Sequence, residues 1–219
     1  MDLLDLDAFD RAALMRDPFD FVVVRDFLRR DAAAAVCADF PPIDHPGLLA
    51  ADDAGGGPRF GALIEALRSA AVRGTFSRKF GLDLKAQAQM ITVRGRCQAK
   101  DGRIHVDSKD KVVTALLYLN EPWQAEGGRL RLLRSADDLN DAVAEVPPEC
   151  GTLVAFRRSD RSYHGHAPYV GVRRCVMFNW MIDARAARRE TMRHRLSATF
   201  KRFLRGDAAS PAARETADA

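Results

Sequence analysis

The sequence lacks several features that would assign it to a specialised class of protein. None of its apolar runs reaches about 18 residues, so we expect no membrane span. Its few cysteines form no CxxC pair, which favours free thiols in a reducing compartment over a disulfide framework or a zinc ribbon. The net charge of +4 is small and dispersed, so composition gives no argument for a nucleic-acid partner. The four cysteines are Cys37, Cys97, Cys150 and Cys175.

What the chain does contain is ordinary for a globular protein. Its 219 residues, 47% hydrophobic and 29% charged, are enough to bury a core. The first segment, MDLLDLDAFDRAALMRD, is acidic and lacks the basic start and apolar stretch of a secretory signal. We therefore expect a cytoplasmic protein with a single domain over residues 1–219.

Residues 1–85 have a pattern that predicts a strand and helices supporting the rest of the domain. FDFVVVRDFL (19–28) predicts a short buried strand, and the following RRDAAAAVCADF predicts a helix that ends at Pro41. Residues 43–58 are rich in Pro, Gly and Asp, and we expect them to form a loop. A further helix is predicted from Pro58 through RFGALIEALRSAAVRGTF.

Residues 86–184 consist of short β-prone runs separated by turn residues. The runs are AQMITVRGRC, VVTALLYLN, GGRLRLL, GTLVAFRR and RRCVMFNWMI. Several such strands with no helical pattern between them predict a sandwich or barrel. We expect a helix over residues 185–206 and a disordered tail over 207–219.

One short motif in this β region carries chemistry. In GRIHVDSKDK (102–111), His105 and Asp107 are two residues apart. Side chains at that spacing in an extended segment point to the same face. The imidazole and the carboxylate could pair with each other at the surface, or could together hold a metal ion. The HxD sequence alone does not choose between these.

The sequence contains few histidines that could serve as a further ligand to a metal ion. Of the five histidines, His164 and His166 lie in RSYHGHAPYVGVRR, between two predicted strands. Either imidazole would complete a set of two histidines and one carboxylate, which occupies one face of an octahedral ion and suits non-haem Fe(II). Either could equally cap a turn through ordinary hydrogen bonds, so the residues alone leave the choice open.

Taken in order, the motifs over residues 105–183 resemble those of the iron(II)- and 2-oxoglutarate-dependent dioxygenases, most closely the prolyl 4-hydroxylase-like branch. The matching pieces are HVD, TALLYLNEPW, GGRLRLL, GTLVAFRRSDRSYHGHAP and RRCVMFNW. The resemblance implies a mainly β fold with flanking helices (α+β), in which a double-stranded β-helix, or cupin-like jelly-roll barrel, is supported by N-terminal helices and a C-terminal helix.

The resemblance also implies which residues bind the metal. His105 and Asp107 match the first two iron ligands of the family. A proline commonly follows the third ligand by four positions, and Pro168 follows His164 by four. His164 is therefore the third ligand that the resemblance implies, and His166 becomes a neighbour of the metal site or of the substrate.

The same comparison implies a binding site for the co-substrate. The basic residue that binds the distal carboxylate of 2-oxoglutarate precedes the family's strand tryptophan by six positions, which selects Arg174. The neighbouring Arg173 should then point to the opposite face. Tyr118 matches a tyrosine that hydrogen-bonds the same carboxylate in related prolyl hydroxylases.

The implied activity is hydroxylation of an unactivated C–H bond, with 2-oxoglutarate converted to succinate and CO2. Fe(II), 2-oxoglutarate and O2 would be required, and ascorbate is a further candidate cofactor. The substrate would be a peptide or a small molecule, with a prolyl residue as the leading guess, and we expect neither a membrane nor a nucleic-acid partner. Two alternatives keep the metal site: a non-catalytic sensor that binds 2-oxoglutarate or metal, and a cupin-like metal protein that does not use 2-oxoglutarate.

Overall fold

The computed structural model of the protein describes residues 2–193. Its helices are α1 (Leu6–Arg11), α2 (Arg30–Ala38), α3 (Ala51–Ala54), α4 (Pro58–Arg68) and α5 (Ala70–Phe80), and residues 184–193 are also helical. Its strands are β1 (Phe21–Val24), β2 (Leu49–Ala50), β3 (Ala88–Cys97), β4 (Lys111–Tyr118), β5 (Leu130–Leu133), β6 (Ala142–Val146), β7 (Leu153–Arg157), β8 (His164–Gly165) and β9 (Gly171–Met181).

The strands form two antiparallel sheets. The larger has the order β1-β7-β4-β9-β3-β2, and the smaller has the order β6-β5-β8. Apolar side chains of both sheets share one cluster, to which β5 contributes Leu130 and Leu132 while β7 contributes Val154 and Phe156. The predicted fold class, mainly β with flanking helices, is confirmed. Within residues 2–193 the strand pairing gives two facing sheets rather than one closed hydrogen-bonded barrel.

Successive side chains of the central strands point alternately into two separate hydrophobic cores. On β4, Ala115 and Leu117 belong to the cluster shared with the helices, whereas Leu116 and Tyr118 belong to the cluster between the sheets. The same alternation runs along β9. Because neighbouring residues of a strand point to opposite faces, this parity decides which side chains enter the space between the sheets.

The N-terminal helices cover the outer face of the larger sheet. The predicted helix beginning at Pro58 is in fact two helices, because Ser69 has an extended backbone and its hydroxyl accepts a hydrogen bond from the Val72 N–H at 3.2 Å. Ser69 thereby caps α5 and interrupts the run. Both helices bury apolar residues against the sheet, among them Leu63, Leu67 and Phe76.

Several elements differ from the sequence-based expectation. The expected loop over 43–58 contains β2, which pairs with β3, and the short helix α3. The elements α1, β6 and β8 were not predicted; β8 is only two residues long, too short to produce a periodic pattern.

Helical residues 184–193 agree with the start of the expected C-terminal helix, but 194–206 and the tail 207–219 lie outside the described residues. Across residues 2–193, no helix combines the length and apolar character needed to cross a membrane.

We expect Phe76→Ala to destabilise the fold strongly. The Phe76 ring stacks on Phe9 at 4.4 Å between centroids and contacts Trp180 at 4.6 Å, so the truncation leaves a cavity where helix α5 meets the sheet. The loss should be about 3–5 kcal/mol in the free energy of unfolding, measured by urea denaturation. Ile182→Ala, at a side chain that is 47% exposed, should cost less than about 0.5 kcal/mol. Equal losses in the two variants would contradict this packing.

Candidate metal centre

Three side chains singled out in the sequence meet at one point. One ligand atom from each of His105, Asp107 and His164 lies within 4.8 Å of the others. His105 and His164 pair across an isolated antiparallel bridge, in which the His105 N–H donates to the His164 carbonyl at 3.1 Å and the reverse bond is 3.0 Å. Asp107 follows two residues after this bridge. The backbone pairing of two segments far apart in sequence therefore assembles the cluster.

Both imidazoles are held in the tautomer that suits a metal ligand. The Nδ1 atom of His105 is 2.8 Å from the Arg103 carbonyl oxygen, and that of His164 is 2.9 Å from the Ser162 carbonyl oxygen. A carbonyl oxygen can only accept a hydrogen bond, so each Nδ1 carries the proton. Each Nε2 then keeps its lone pair available for a cation.

The Asp107 carboxylate is buried and fixed by two donors. The Lys111 ammonium donates to Oδ1 at 2.8 Å, and the Thr114 hydroxyl donates to Oδ2 at 2.6 Å. Burial alone would raise the pKa of Asp107, but the charges of Lys111 and His164 and these two bonds bring it down to about 2. The group is therefore an oriented carboxylate at neutral pH. Sequence reasoning missed Lys111 and Thr114, although both follow the HxD motif closely.

The environment of His164 keeps its imidazole neutral. Its burial lowers the pKa to about 4, and the nearby Asp107 carboxylate opposes this only in part. A neutral imidazole is the form that binds metal ions. His105, by contrast, is exposed, so the cluster is open to solvent on the side of His105.

A buried cation and a hydroxyl lie farther along the interior face of the larger sheet. Arg173 is 4% exposed; its Nη2 donates to the Tyr118 hydroxyl at 3.2 Å, and its Nε donates to the Gly128 carbonyl at 2.7 Å. Tyr118 is four residues after Thr114 on β4, which corresponds to roughly 13 Å along an antiparallel strand. Burial raises the pKa of Tyr118, so its hydroxyl stays protonated and can donate in turn.

The two neighbouring arginines point to opposite faces, as expected, but the side chain that lies beside Tyr118 is that of Arg173 and not that of Arg174. Arg174 lies on the outer face, with its guanidinium 5.3 Å from the centroid of the Phe40 ring and its Nη1 donating to the Cys37 carbonyl at 3.5 Å. Arg173 is two residues before Cys175 on the same strand, so its side chain points, like that of Cys175, into the space between the sheets. A shift of one residue along a strand reverses the face, so the spacing relative to Trp180 points to the arginine on the outer face.

His166 is buried near the cluster without belonging to it. Its ring packs closely over Gly102, whose φ of +85° and missing Cβ leave room for the imidazole. Burial and, secondarily, the charge of Arg173 lower the pKa of His166 to about 4. His166 is therefore a neutral polar group on the Arg173 side of the site, consistent with the neighbouring position expected for it.

These pKa values predict that the metal-free protein loses stability in mild acid. His164 and His166 have folded-state pKa values of about 4, whereas a histidine of the unfolded chain titrates near 6.5. Their contribution is complete above pH 6.5 and is lost as the pH falls toward 4, by about 1 kcal/mol per pH unit for each histidine. Urea unfolding in chelator at pH 7, 6 and 5 measures it. His166→Gln should flatten the dependence, and a flat wild-type profile would contradict the burial of both rings.

Comparisons with known proteins support the interpretation of the site. The sequence model of the 2OG-Fe(II) oxygenase superfamily matches residues 94–182. The fold is similar to that of a Pseudomonas putida prolyl-4-hydroxylase (TM-score 0.55, 23% identity, covering 80% of this chain and 90% of that chain). It is also similar to a prolyl 4-hydroxylase of Phytophthora capsici (0.55, 20% identity, 82% and 63%) and to a Burkholderia pseudomallei oxidoreductase of the 2OG-Fe(II) oxygenase family (0.52, 12% identity, 81% and 90%).

At these identities the structural neighbours show the fold alone, and no curated protein matches the sequence. The matched residues, however, contain His105, Asp107 and His164 together with Arg173 and Tyr118. The family uses Fe(II), 2-oxoglutarate and O2, and the chemistry of the clustered donors suits that metal. Residues 94–182, which make up less than half of the chain, are thus similar to the 2OG-Fe(II) oxygenase superfamily.

Proposed function

We propose that the protein is an Fe(II)- and 2-oxoglutarate-dependent hydroxylase in which His105, Asp107 and His164 bind the iron. The observation that carries this proposal is the approach of their ligand atoms to within 4.8 Å of one another. Two imidazole nitrogens freed by their tautomers and one ionised carboxylate form a facial set that leaves further positions of an octahedral ion open. The residues present therefore fit the metal that the family uses.

Arg173 and Tyr118 are the proposed binding groups for the distal carboxylate of 2-oxoglutarate. Among residues 2–193, no carboxylate forms an ion pair with Arg173, although its guanidinium is buried. A buried charge without a counter-ion is unfavourable, and an anionic ligand supplies the missing partner. The guanidinium can donate charge-assisted hydrogen bonds to a carboxylate, and the protonated Tyr118 hydroxyl can add another.

The residues of the chain then have separable tasks. Bound iron and 2-oxoglutarate supply the oxidation, in which O2 and 2-oxoglutarate yield succinate, CO2 and one oxygen atom for a substrate C–H bond. Lys111 and Thr114 hold the Asp107 carboxylate in place, and the backbone carbonyls described above hold the imidazoles. The exposed edge at His105 is where a substrate can approach the centre.

For the substrate we propose a prolyl residue of a peptide. The support is the similarity of fold to the prolyl hydroxylases of Pseudomonas putida and Phytophthora capsici, together with the open edge of the site at His105. A shared fold does not determine the substrate, which depends on the loops around the site. The assignment is therefore tested directly with peptides.

The two neighbouring arginines provide a matched test of co-substrate binding. Arg173→Met should weaken 2-oxoglutarate binding to the Fe(II)-loaded protein by about 100-fold, because two charge-assisted hydrogen bonds are lost. Arg174→Met, on the opposite face, should bind 2-oxoglutarate as the wild type does. Anaerobic titration, followed by the visible charge-transfer band of the chelate, measures both affinities. A larger effect in Arg174→Met would overturn the assignment.

Turnover is tested by incubating the protein with Fe(II), 2-oxoglutarate, O2 and proline-containing peptides. We expect succinate to form in step with a peptide product that gains one oxygen atom, and His105→Ala to abolish both because one metal ligand is missing. The matched control is the same peptide with each proline replaced by alanine. Chelate formation without succinate, in the presence of every peptide, would favour a 2-oxoglutarate sensor; metal binding without the chelate would favour a cupin-like metal protein.

A further inference from the structure

Two cysteines that the metal site does not use lie against each other. Cys37 is in helix α2, and Cys150 is in the turn before β7, 113 positions later in the chain. Their sulfur atoms are 2.8 Å apart, within hydrogen-bond distance, and both side chains are half-buried. The contact joins a supporting helix to the sheet that carries the proposed site.

The surroundings make the two thiols unequal. The hydrogen bond from Cys150 and, secondarily, the charge of Arg174 lower the pKa of Cys37, while the same contact raises that of Cys150. The Arg174 guanidinium also donates to the Cys37 carbonyl, so its position beside the pair is fixed. A thiol with a lowered pKa in contact with a second thiol is the arrangement in which a first thiolate reacts and a second thiol resolves the product.

A cavity lies near the pair, because two of its lining residues, Glu121 and Arg174, are close enough to influence the charge of Cys37. Arg174 lines a cavity of about 560 Å³ together with Asn120, Glu121 and Trp123. None of the three residues of the metal cluster lines this cavity. The remaining cysteines contrast with the pair: Cys97 and Cys175 are fully buried, and burial raises the pKa of Cys175 to about 12.

We propose that Cys37 and Cys150 are an oxidisable pair that forms a disulfide between helix α2 and the turn before β7. The oxidant is a hydroperoxide. Attack of the Cys37 thiolate breaks the O–O bond and gives a sulfenic acid and, with H2O2 as oxidant, one water after protonation. The Cys150 thiol then attacks that sulfur, the S–S bond forms, and a second water leaves. The two thiols lose two hydrogen atoms in total, and the peroxide is reduced to two waters.

The cross-link would act on a part of the chain that contacts the proposed co-substrate site. The residues after Cys150 pair with Tyr118: the Gly151 N–H donates to the Tyr118 carbonyl at 3.0 Å, and the Tyr118 N–H donates to the Thr152 carbonyl at 2.9 Å. A disulfide would close a loop of more than 100 residues, the case in which a cross-link restricts the unfolded chain most. We therefore expect the oxidised protein to melt higher by on the order of 10 °C.

The test uses the full-length protein, reduced and then treated with a small excess of H2O2. Samples are alkylated in denaturant and analysed by mass spectrometry before and after oxidation. We expect four alkylated cysteines before oxidation and two afterwards, a linked peptide pair containing Cys37 and Cys150, and recovery of all four by a reductant. The higher melting temperature should be reversed by the same reductant.

Cysteine-to-serine variants serve as matched controls for the cross-link between Cys37 and Cys150. Cys97→Ser should still form the linked peptides and show the rise in melting temperature, whereas Cys37→Ser and Cys150→Ser should show neither. Four alkylated cysteines after oxidation, a cross-link between other cysteines, or conversion of Cys37 to a sulfinic acid without a linked peptide would overturn the proposal. None of these readouts depends on metal or 2-oxoglutarate, so the result stands apart from the proposed activity.

Discussion

The antiparallel bridge between His105 and His164 is the interaction on which the site depends. Its two backbone hydrogen bonds hold the segment after β3 against β8, and the imidazole rings meet with 4.3 Å between their centroids. Asp107 reaches the same point because it follows His105 by two residues. This pairing brings together His105 and His164, which are 59 positions apart in the sequence.

Two buried charged side chains, Asp107 and Arg173, lie along the interior face of the larger sheet. Near the metal cluster, Lys111 forms an ion pair with the Asp107 carboxylate and holds it in a fixed orientation. Farther along the same face, the hydrogen-bond partners of the Arg173 side chain within residues 2–193 are neutral groups, the Tyr118 hydroxyl and the Gly128 carbonyl. A ligand with a metal-chelating end and a distal carboxylate matches this sequence of charges, which is the physical reason to place 2-oxoglutarate between them.

The sequence predicted the parts that depend on local pattern. The HxD motif and the long strands β3, β4 and β9 could be recognised from spacing and alternation, whereas the choice of His164 over His166 came from the family resemblance. Which of Arg173 and Arg174 points into the space between the sheets could not be recognised, because the two are adjacent and only the strand register sets the face. The Cys37–Cys150 contact was missed for a different reason: it joins elements 113 positions apart, and no local pattern encodes such a pairing.

The most direct test of the account is a crystal structure determined without oxygen, with Mn(II) in place of Fe(II) and with 2-oxoglutarate. The account predicts an anomalous metal peak bonded to Nε2 of His105, Nε2 of His164 and an oxygen of Asp107. The distal carboxylate of 2-oxoglutarate should contact Arg173 and Tyr118. Metal bound elsewhere, or a 2-oxoglutarate carboxylate on Arg174, would contradict it.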